Sequence, residues 1–176
     1  MSKSHAAILT LSAIVTLAAC VESREPVAEL LAKAEEAASP MLRVREDLAR
    51  GTRWELAWGT VYVYDIATGQ LMKSISLQGA NLSASRDTRL PDMLLTRSGA
   101  MIVSSNAQPS LWRISPERFE VERFDVEVDR DHDKDFGFSD LAWSADGREL
   151  HAVSAATGSA WRIDLARGKA TKVGVE

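Results

Sequence analysis

The fold is decided by the stretch Leu141–Leu150, which reads LAWSADGREL, and by the AWRID segment Ala160–Asp164 that follows it. Short runs of apolar and aromatic residues flank the pair Asp146-Gly147. Such runs are typical of strands, and an Asp-Gly pair supplies the backbone conformation that tight turns need. The stretch therefore predicts two strands joined by a turn, followed by a third strand.

The same pattern recurs along the chain. Asp65, Ser115 and Asp164 occupy equivalent positions at the ends of three similar segments, at successive spacings of 50 and 49 residues. Upstream, the segment Asp92–Gly99 aligns with Asp140–Gly147. Each full unit then contains four predicted strands, and a period of about 49 residues falls in the range of propeller blades.

These residues resemble a known family of repeats. The pattern from Leu141 to Lys169 is similar to the WD40-like repeats of TolB-type and YVTN-type periplasmic propellers. The resemblance implies a mainly β domain over residues 51–176, built as a partial β-propeller-like stack of about two and a half four-stranded antiparallel units. Because propellers usually contain about four to eight blades, three arrangements stay open. The chain is a truncated descendant, an open stack, or a ring completed by other copies.

The N-terminus carries a different signal. Residues 6–19 are uncharged and mostly apolar, and they end in Leu17-Ala18-Ala19-Cys20, which contains the only cysteine of the chain. A helix of this length is about 21 Å long, short of the roughly 30 Å hydrocarbon core. The pattern resembles the lipobox of bacterial lipoproteins, so residues 1–19 are predicted to be a signal peptide. The resemblance implies a diacylglycerol on Cys20 that anchors the chain in the bacterial cell envelope. Val21 is similar to the residue at this position in lipoproteins of the outer membrane that face the periplasm.

Residues 20–50 are predicted to combine the lipid attachment site with a short helical segment. Apolar residues at helical spacing indicate one helix over Pro26–Ala38. Ser39-Pro40 has the composition of a helix start, which predicts a second helix over Met41–Arg50, ended by Gly51. This segment is either a stalk between anchor and domain or a cap that packs against the domain.

Charge and motif searches exclude several functions. The 21 basic and 25 acidic residues give a net charge of −4, and no basic patch interleaved with aromatics points to nucleic acid. No nucleotide-binding glycine motif and no nucleophile–base pair can be placed, so no catalytic residues are assigned. Tryptophans recur at equivalent repeat positions, Trp112 and Trp161, which is typical of core packing.

One loop has alternating acids that suit a hard cation. Calcium prefers several carboxylate oxygens, and the candidate ligands are Asp129, Asp131, Asp133, Asp135 and Asp140. Lys134 stands where an EF-hand loop has glycine, and bases alternate with the acids. The alternative is therefore a solvated loop that neutralises its own charge. Apart from calcium, no cofactor is expected.

Together these features predict an envelope lipoprotein that acts as a non-catalytic protein-interaction module. Its partners would be the membrane, through the lipid, and either an envelope protein or further copies of the chain. Two alternatives remain: a small-molecule or Ca²⁺-binding envelope protein, and a remnant of a quinoprotein-like or lactonase-like propeller enzyme.

Overall fold

Three sheets, each with four antiparallel strands and here called blades 1, 2 and 3, make up the described part of the fold. The computed structural model describes residues 41–129 and 137–174. Blade 1 has the strand order β1-β2-β3-β4, with β1 Arg43–Asp47, β2 Thr52–Leu56, β3 Thr60–Asp65 and β4 Leu71–Ser76. Blade 2 has the order β5-β6-β7-β8, with β5 Met93–Leu95, β6 Met101–Ser104, β7 Ser110–Ile114 and β8 Val121–Asp125.

Blade 3 contains five strands in the order β10-β11-β12-β13-β9. Its antiparallel part consists of β10 Phe138–Trp143, β11 Leu150–Ser154, β12 Ala160–Asp164 and β13 Lys169–Lys172. The short strand β9 Glu127–Val128 follows β8 closely in the chain and pairs in parallel with β13. The chain thus leaves blade 2 and covers the outer edge of blade 3, which hides hydrogen-bonding groups that an edge strand would expose.

The predicted repeat is confirmed by the strand register. Tyr64, Ile114 and Ile163 pair with Arg53, Met101 and Leu150, respectively, so the three blades align strand by strand. The turn glycines Gly99 and Gly147 adopt left-handed φ values of 86° and 70°. Left-handed backbone is strained for residues with a Cβ atom, and glycine relieves that strain.

The core lies between the blades in two layers. One layer joins blades 1 and 2 and contains Trp54, Met101 and Trp112, while the other joins blades 2 and 3 and contains Ile102, Phe138 and Trp161. The recurring tryptophans are therefore core residues, and Trp112 and Trp161 are at most 1% exposed. Blade 2 is apolar on both faces because each of its faces packs against a neighbour.

The prediction of a second helix over Met41–Arg50 is wrong. Residues 43–47 form β1, which pairs antiparallel with β2 from Arg43 opposite Leu56 to Asp47 opposite Thr52. Arginine, glutamate and leucine have high helix propensity, but tertiary pairing overrides propensity in so short a segment. With β1 in place, blade 1 is a complete four-stranded sheet, so residues 41–129 and 137–174 form three blades rather than the predicted two and a half.

Several other predictions fall outside the described residues. These are the signal peptide 1–19, the lipid attachment site Cys20 and the helix Pro26–Ala38. Within residues 41–129 and 137–174, no helix has the length and apolar character needed to span a membrane.

Candidate functional site

The predicted calcium loop is described only at its two ends. Asp129 Oδ1 accepts the Lys172 N–H at 3.1 Å, and Asp140 Oδ2 lies 2.9 Å from Arg89 Nη1. Each acid therefore already has a donor from the protein. Asp131, Asp133 and Asp135 lie outside the described residues. In the described part of the chain, no three acidic, histidine or cysteine side chains come together as a metal site, so the calcium site stays a prediction.

A buried carboxylate instead marks the inner edge of the blades, where β1, β5 and β10 are neighbours. Asp92 is 4% exposed and directly precedes β5. Its Oδ1 lies 2.8 Å from Arg45 Nη2 and 3.4 Å from Arg43 Nε, both on blade 1. Its Oδ2 accepts the Leu141 N–H of blade 3 at 2.9 Å. One side chain thus connects all three blades.

The surroundings of Asp92 define its role as structural. Oδ1 also accepts the Met93 N–H at 2.8 Å, and the Asp92 N–H donates to Ser104 Oγ at 2.9 Å. A buried charge is tolerated only when it is paired and hydrogen-bonded, and removing its partners costs several kcal/mol. Both Asp92 oxygens are engaged by protein donors, so the carboxylate stabilises the inter-blade contact.

Asp140 occupies the place of Asp92 in the next repeat but has a different environment. Its side chain is 45% exposed, and its ion-pair partner Arg89 is 57% exposed. The backbone at Asp140 has a φ of 49°, next to an irregularity in the pairing of β10 with β11. The sequence alignment of Asp92 with Asp140 could have indicated that this position of the repeat has a structural role. Arg43 and Arg45 were not predicted as its partners, because their segment was predicted to be a helix.

A second contact between blades recurs in the turns. Arg50, in the β1–β2 turn, donates to the Ser98 carbonyl at 2.8 Å and lies over Gly99, where a Cβ atom would overlap its guanidinium. Arg97, in the β5–β6 turn, lies over Gly147 of blade 3 in the same way. In both cases a turn arginine of one blade fills the space left by a turn glycine of the next.

The outward face of blade 1 is polar. The positions that carry Met101 and Val103 in blade 2 carry Arg53 and Glu55 in blade 1. Arg53 Nη2 lies 2.9 Å from Glu55 Oε1, and its guanidinium lies 5.1 Å from the centre of the Tyr64 ring. The charges on this face are thus largely neutralised within the blade.

The outward face of blade 3 is also polar and is more open. Where blade 2 has the buried Ile102, blade 3 has the exposed His151. Glu149 lies 3.7 Å from His151 Nε2 and 3.8 Å from Arg162 Nη1, and about half of each of these side chains is exposed. His151 therefore belongs to a surface charge cluster.

A shallow groove of about 700 Å³ runs along this part of blade 3. Four basic and two acidic side chains line it, in addition to backbone and apolar groups: Arg148, Arg162, Arg167, Lys169, Glu149 and Asp164. The excess of basic residues suits an acidic partner surface.

Three aspartates, two at strand ends and one in a turn, have pKa values below the ordinary value for aspartate. The pKa of Asp65 is lowered mainly by the Thr68 hydroxyl and N–H, and that of Asp146 mainly by the Ser144 hydroxyl. The pKa of Asp125 is lowered by the Ser110 hydroxyl and by Arg123. Hydrogen bonds to the charged form produce all three shifts, and each bond holds a turn or strand pair.

Comparison with known proteins identifies the fold class. No family model matches the chain, and no curated protein matches it. Among solved structures, virginiamycin B lyase from Staphylococcus aureus superposes with a TM-score of 0.55 at 15% identity, covering 78% of this chain and 42% of the lyase. The β-propeller domain of Cps50 (Swd1) from Myceliophteria thermophila gives 0.54 at 14% identity, covering 88% and 46%. A Lactobacillus plantarum protein gives 0.54 at 20% identity, covering 77% and 41%.

These likenesses establish a mainly β, propeller-like architecture. The chain spans less than half the length of each of these three structures. They include an enzyme and a domain of the WD40 type, so they leave open whether this chain is catalytic.

Proposed function

We propose that the protein is a lipid-anchored envelope protein of a bacterium, whose three-blade domain is a non-catalytic protein-interaction module. The proposed anchor is a lipid on Cys20, at the end of the segment Leu17–Cys20. In this proposal the chain sits on the outer membrane and faces the periplasm. Two or more acyl chains would hold it there stably.

The outward face of blade 3 carries the interaction part of the proposal. His151 stands on an exposed sheet face, at a position whose counterpart on blade 2, Ile102, is buried against another blade. Propeller blades pack against each other through these faces. A partner protein could therefore cover the exposed face of blade 3. Exposed charges of both signs give such a contact specificity and steering more than affinity.

The inner-edge carboxylate supports binding rather than chemistry. Asp92 is only 4% exposed, and its two oxygens accept from Arg45, Met93 and Leu141. A general acid or base must reach a substrate proton, and Asp92 is occupied in joining blades. The Glu149, His151 and Arg162 cluster is open to solvent and is available to a partner.

The anchor is tested by metabolic labelling with a palmitate analogue. The wild-type chain should be labelled, and Cys20→Ser should lose the label entirely, because the thioether requires the thiol. Ser23→Ala serves as the matched control and should keep it. Equal labelling of wild type and Cys20→Ser would refute the anchor.

The interaction face is tested by photocrosslinking in intact cells. A photoreactive residue at His151 should give a discrete crosslinked protein band. The same residue at Arg118, which lies after β7 and is 80% exposed, should give none. Bands at both positions, or at neither, would refute the assignment of this face.

A further inference from the structure

We propose that the cleft between blades 2 and 3 binds a small aromatic anion, a flat apolar ring system that carries a carboxylate, sulfonate or phosphate group. The cleft has a volume of about 440 Å³, within the range of about 300–1,000 Å³ that ligand pockets span. Its walls come from both blades and combine apolar side chains with two arginines. Glu149, His151 and Arg162 do not line it, so the inference goes beyond the proposed interaction function and does not depend on it.

Apolar side chains of both blades form the walls of the cleft. Ile102 and Phe124 come from strands of blade 2, and Trp143 and Leu165 come from blade 3. Ile102 is buried in the core layer between these blades, whereas Phe124, Trp143 and Leu165 pack against that layer and are only partly buried. The cleft therefore keeps apolar surface exposed to water, and a flat ligand would cover it at a gain in free energy.

The ring of Trp143 is held in place without a ligand. Its indole N–H donates to the Leu95 carbonyl of blade 2 at 3.1 Å, so the side chain connects the two blades beside the cleft. A side chain that is already fixed loses little conformational entropy when a ligand packs against it, and such preorganisation favours binding. Trp143 therefore offers a rigid apolar surface to a ligand.

Two arginines of blade 2 add positive charge to the cleft. Arg113 on β7 lies directly opposite Ile102 on β6, and residues opposite each other in a sheet share a face. Arg113 therefore stands on the same sheet face as the apolar wall. Arg97, in the β5–β6 turn, lies over Gly147 of blade 3, where a Cβ atom would overlap its guanidinium. Both arginines line the cleft, one from a strand and one from a turn.

The charge of these arginines is not neutralised by direct ion pairs. In the described part of the chain, neither the Arg97 nor the Arg113 side chain forms an ion pair or a hydrogen bond. Glu122 lies opposite Arg113 in the register of β7 with β8, and Asp146 interacts with Arg97 without an ion pair. Among the described residues that line the cleft, none is acidic. A guanidinium matches the geometry of a carboxylate or phosphate group, so charge complementarity selects an anion.

Ring contacts favour an aromatic ligand over an acyl chain. Phe124 and Trp143, two of the partly buried side chains of the cleft, are aromatic. Contacts between aromatic rings are more favourable than their buried area alone accounts for, and a guanidinium also stacks on the face of a ring. A ligand that combines a ring with an acid group would therefore use both kinds of side chain in the cleft.

Fluorescence titration of the purified full chain tests the charge of the ligand. The probe is anilinonaphthalene sulfonate, and the neutral control is phenylnaphthylamine, which has the same rings without the sulfonate. We expect saturable binding of the sulfonate. Arg113→Gln should weaken it at least about tenfold and should weaken the neutral compound less than about twofold.

Arg118→Gln is the matched control, because Arg118 is an exposed arginine of blade 2 outside the cleft. This variant should bind both compounds as the wild type does. Three results would overturn the proposal: no saturable binding of the sulfonate, an affinity that Arg113→Gln leaves unchanged, or an equal loss for both compounds.

The indole N–H signals in a proton–nitrogen correlation spectrum test the location. The signals of Trp143 and Trp54 are identified by their loss in Trp143→Phe and Trp54→Phe. Anilinonaphthalene sulfonate should shift the Trp143 signal more than that of Trp54, which lies in the core layer between blades 1 and 2. Saturation of the probe with the Trp143 signal unmoved would refute the site.

Competition tests the ligand class. Naphthoate, an aromatic carboxylate, should displace the bound probe at lower concentration than decanoate, an acyl carboxylate, because only the former makes ring contacts with Phe124 and Trp143. Displacement by decanoate at the lower concentration would refute the aromatic class. The photocrosslinking result at His151 is independent of this outcome, so the two proposals fail separately.

Discussion

The two faces of blade 2 and the outward faces of blades 1 and 3 are built on the same strand register but have opposite chemistry. Met101 and Ile102 on blade 2 are buried between blades. The corresponding residues are Arg53 on blade 1 and His151 on blade 3. The repeat specifies the backbone of each blade. Side chains at a few positions decide whether a sheet face is buried against another blade or exposed to solvent. Repeat proteins in general carry polar outer faces on their terminal units.

The largest loss of stability should come from removing a large side chain from the core layer between blades 1 and 2. Trp112→Ala removes a fully buried ring between blades 1 and 2 and should lower the free energy of unfolding by about 3–5 kcal/mol. Trp143→Ala is the comparison, because this ring is only half-buried and should cost about 1–2 kcal/mol. Denaturant titration measures both. Equal losses would mean that the layer between blades is not the main core.

The equivalent aspartates Asp92 and Asp140 also compare a buried with an exposed environment. The expected losses in the free energy of unfolding are smaller than for the tryptophans. Asp92→Ala leaves Arg43 and Arg45 without their shared partner and should cost about 3 kcal/mol. Asp140→Ala breaks an exposed ion pair and should cost about 1 kcal/mol or less. The measurement is again chemical denaturation. A cost for Asp140→Ala as large as that for Asp92→Ala would contradict the contrast between them.

A weaker effect is expected from the turn carboxylates. The folded-state pKa of Asp146 is lowered by the Ser144 hydroxyl, so its contribution is complete above the unfolded pKa of about 3.9 and is lost as the pH falls through the lower folded value. Asp146→Asn should therefore reduce the acid sensitivity of the unfolding free energy below about pH 4. The comparison is a denaturation series of wild type and variant against pH. Parallel curves would show that the hydrogen bond does not couple to folding.

No stabilisation is expected from calcium. Asp129 and Asp140 already have protein donors, the Lys172 N–H and Arg89. An occupied site would stabilise the fold by about 2.7 kcal/mol at a hundredfold excess over Kd. The test is the Tm of the full chain with and without millimolar calcium. A rise in Tm that is abolished by Asp131→Ala with Asp133→Ala would establish the site.

Much of the fold was predictable from sequence because the same pattern occurs three times, and each copy supports the strand assignment of the others. Asp65, Ser115 and Asp164 mark the same strand end three times, and Gly69 and Gly168 follow two of them in the turn, where the second repeat has Phe119 at a φ of 56°. Blade 1 was incompletely predicted because β1 has no apolar alternation: its residues Arg43 and Arg45 are selected by Asp92, which is 47 residues from Arg45. Local propensity contains no information on such a distant partner.

The candidate site was less predictable for a related reason. His151 lies in the strand β11, but whether its face is covered depends on the neighbouring blade and not on its own strand. The arginine–glycine contacts also join turns of different blades, and each turn alone contains only an ordinary glycine. Contacts of this kind are found by aligning the blades in space.

Hydrogen exchange of the strand β1 tests the central claim, that residues 43–47 are the inner strand of blade 1 and join it to Asp92. Because β1 pairs with β2 over its whole length, its hydrogen-bonded amides should be protected to nearly the same degree as those of β2. Asp92→Ala should lower the protection of β1 more than that of β3. Exchange of residues 43–47 at the rate of an unstructured peptide, in the otherwise folded wild-type chain, would contradict the account.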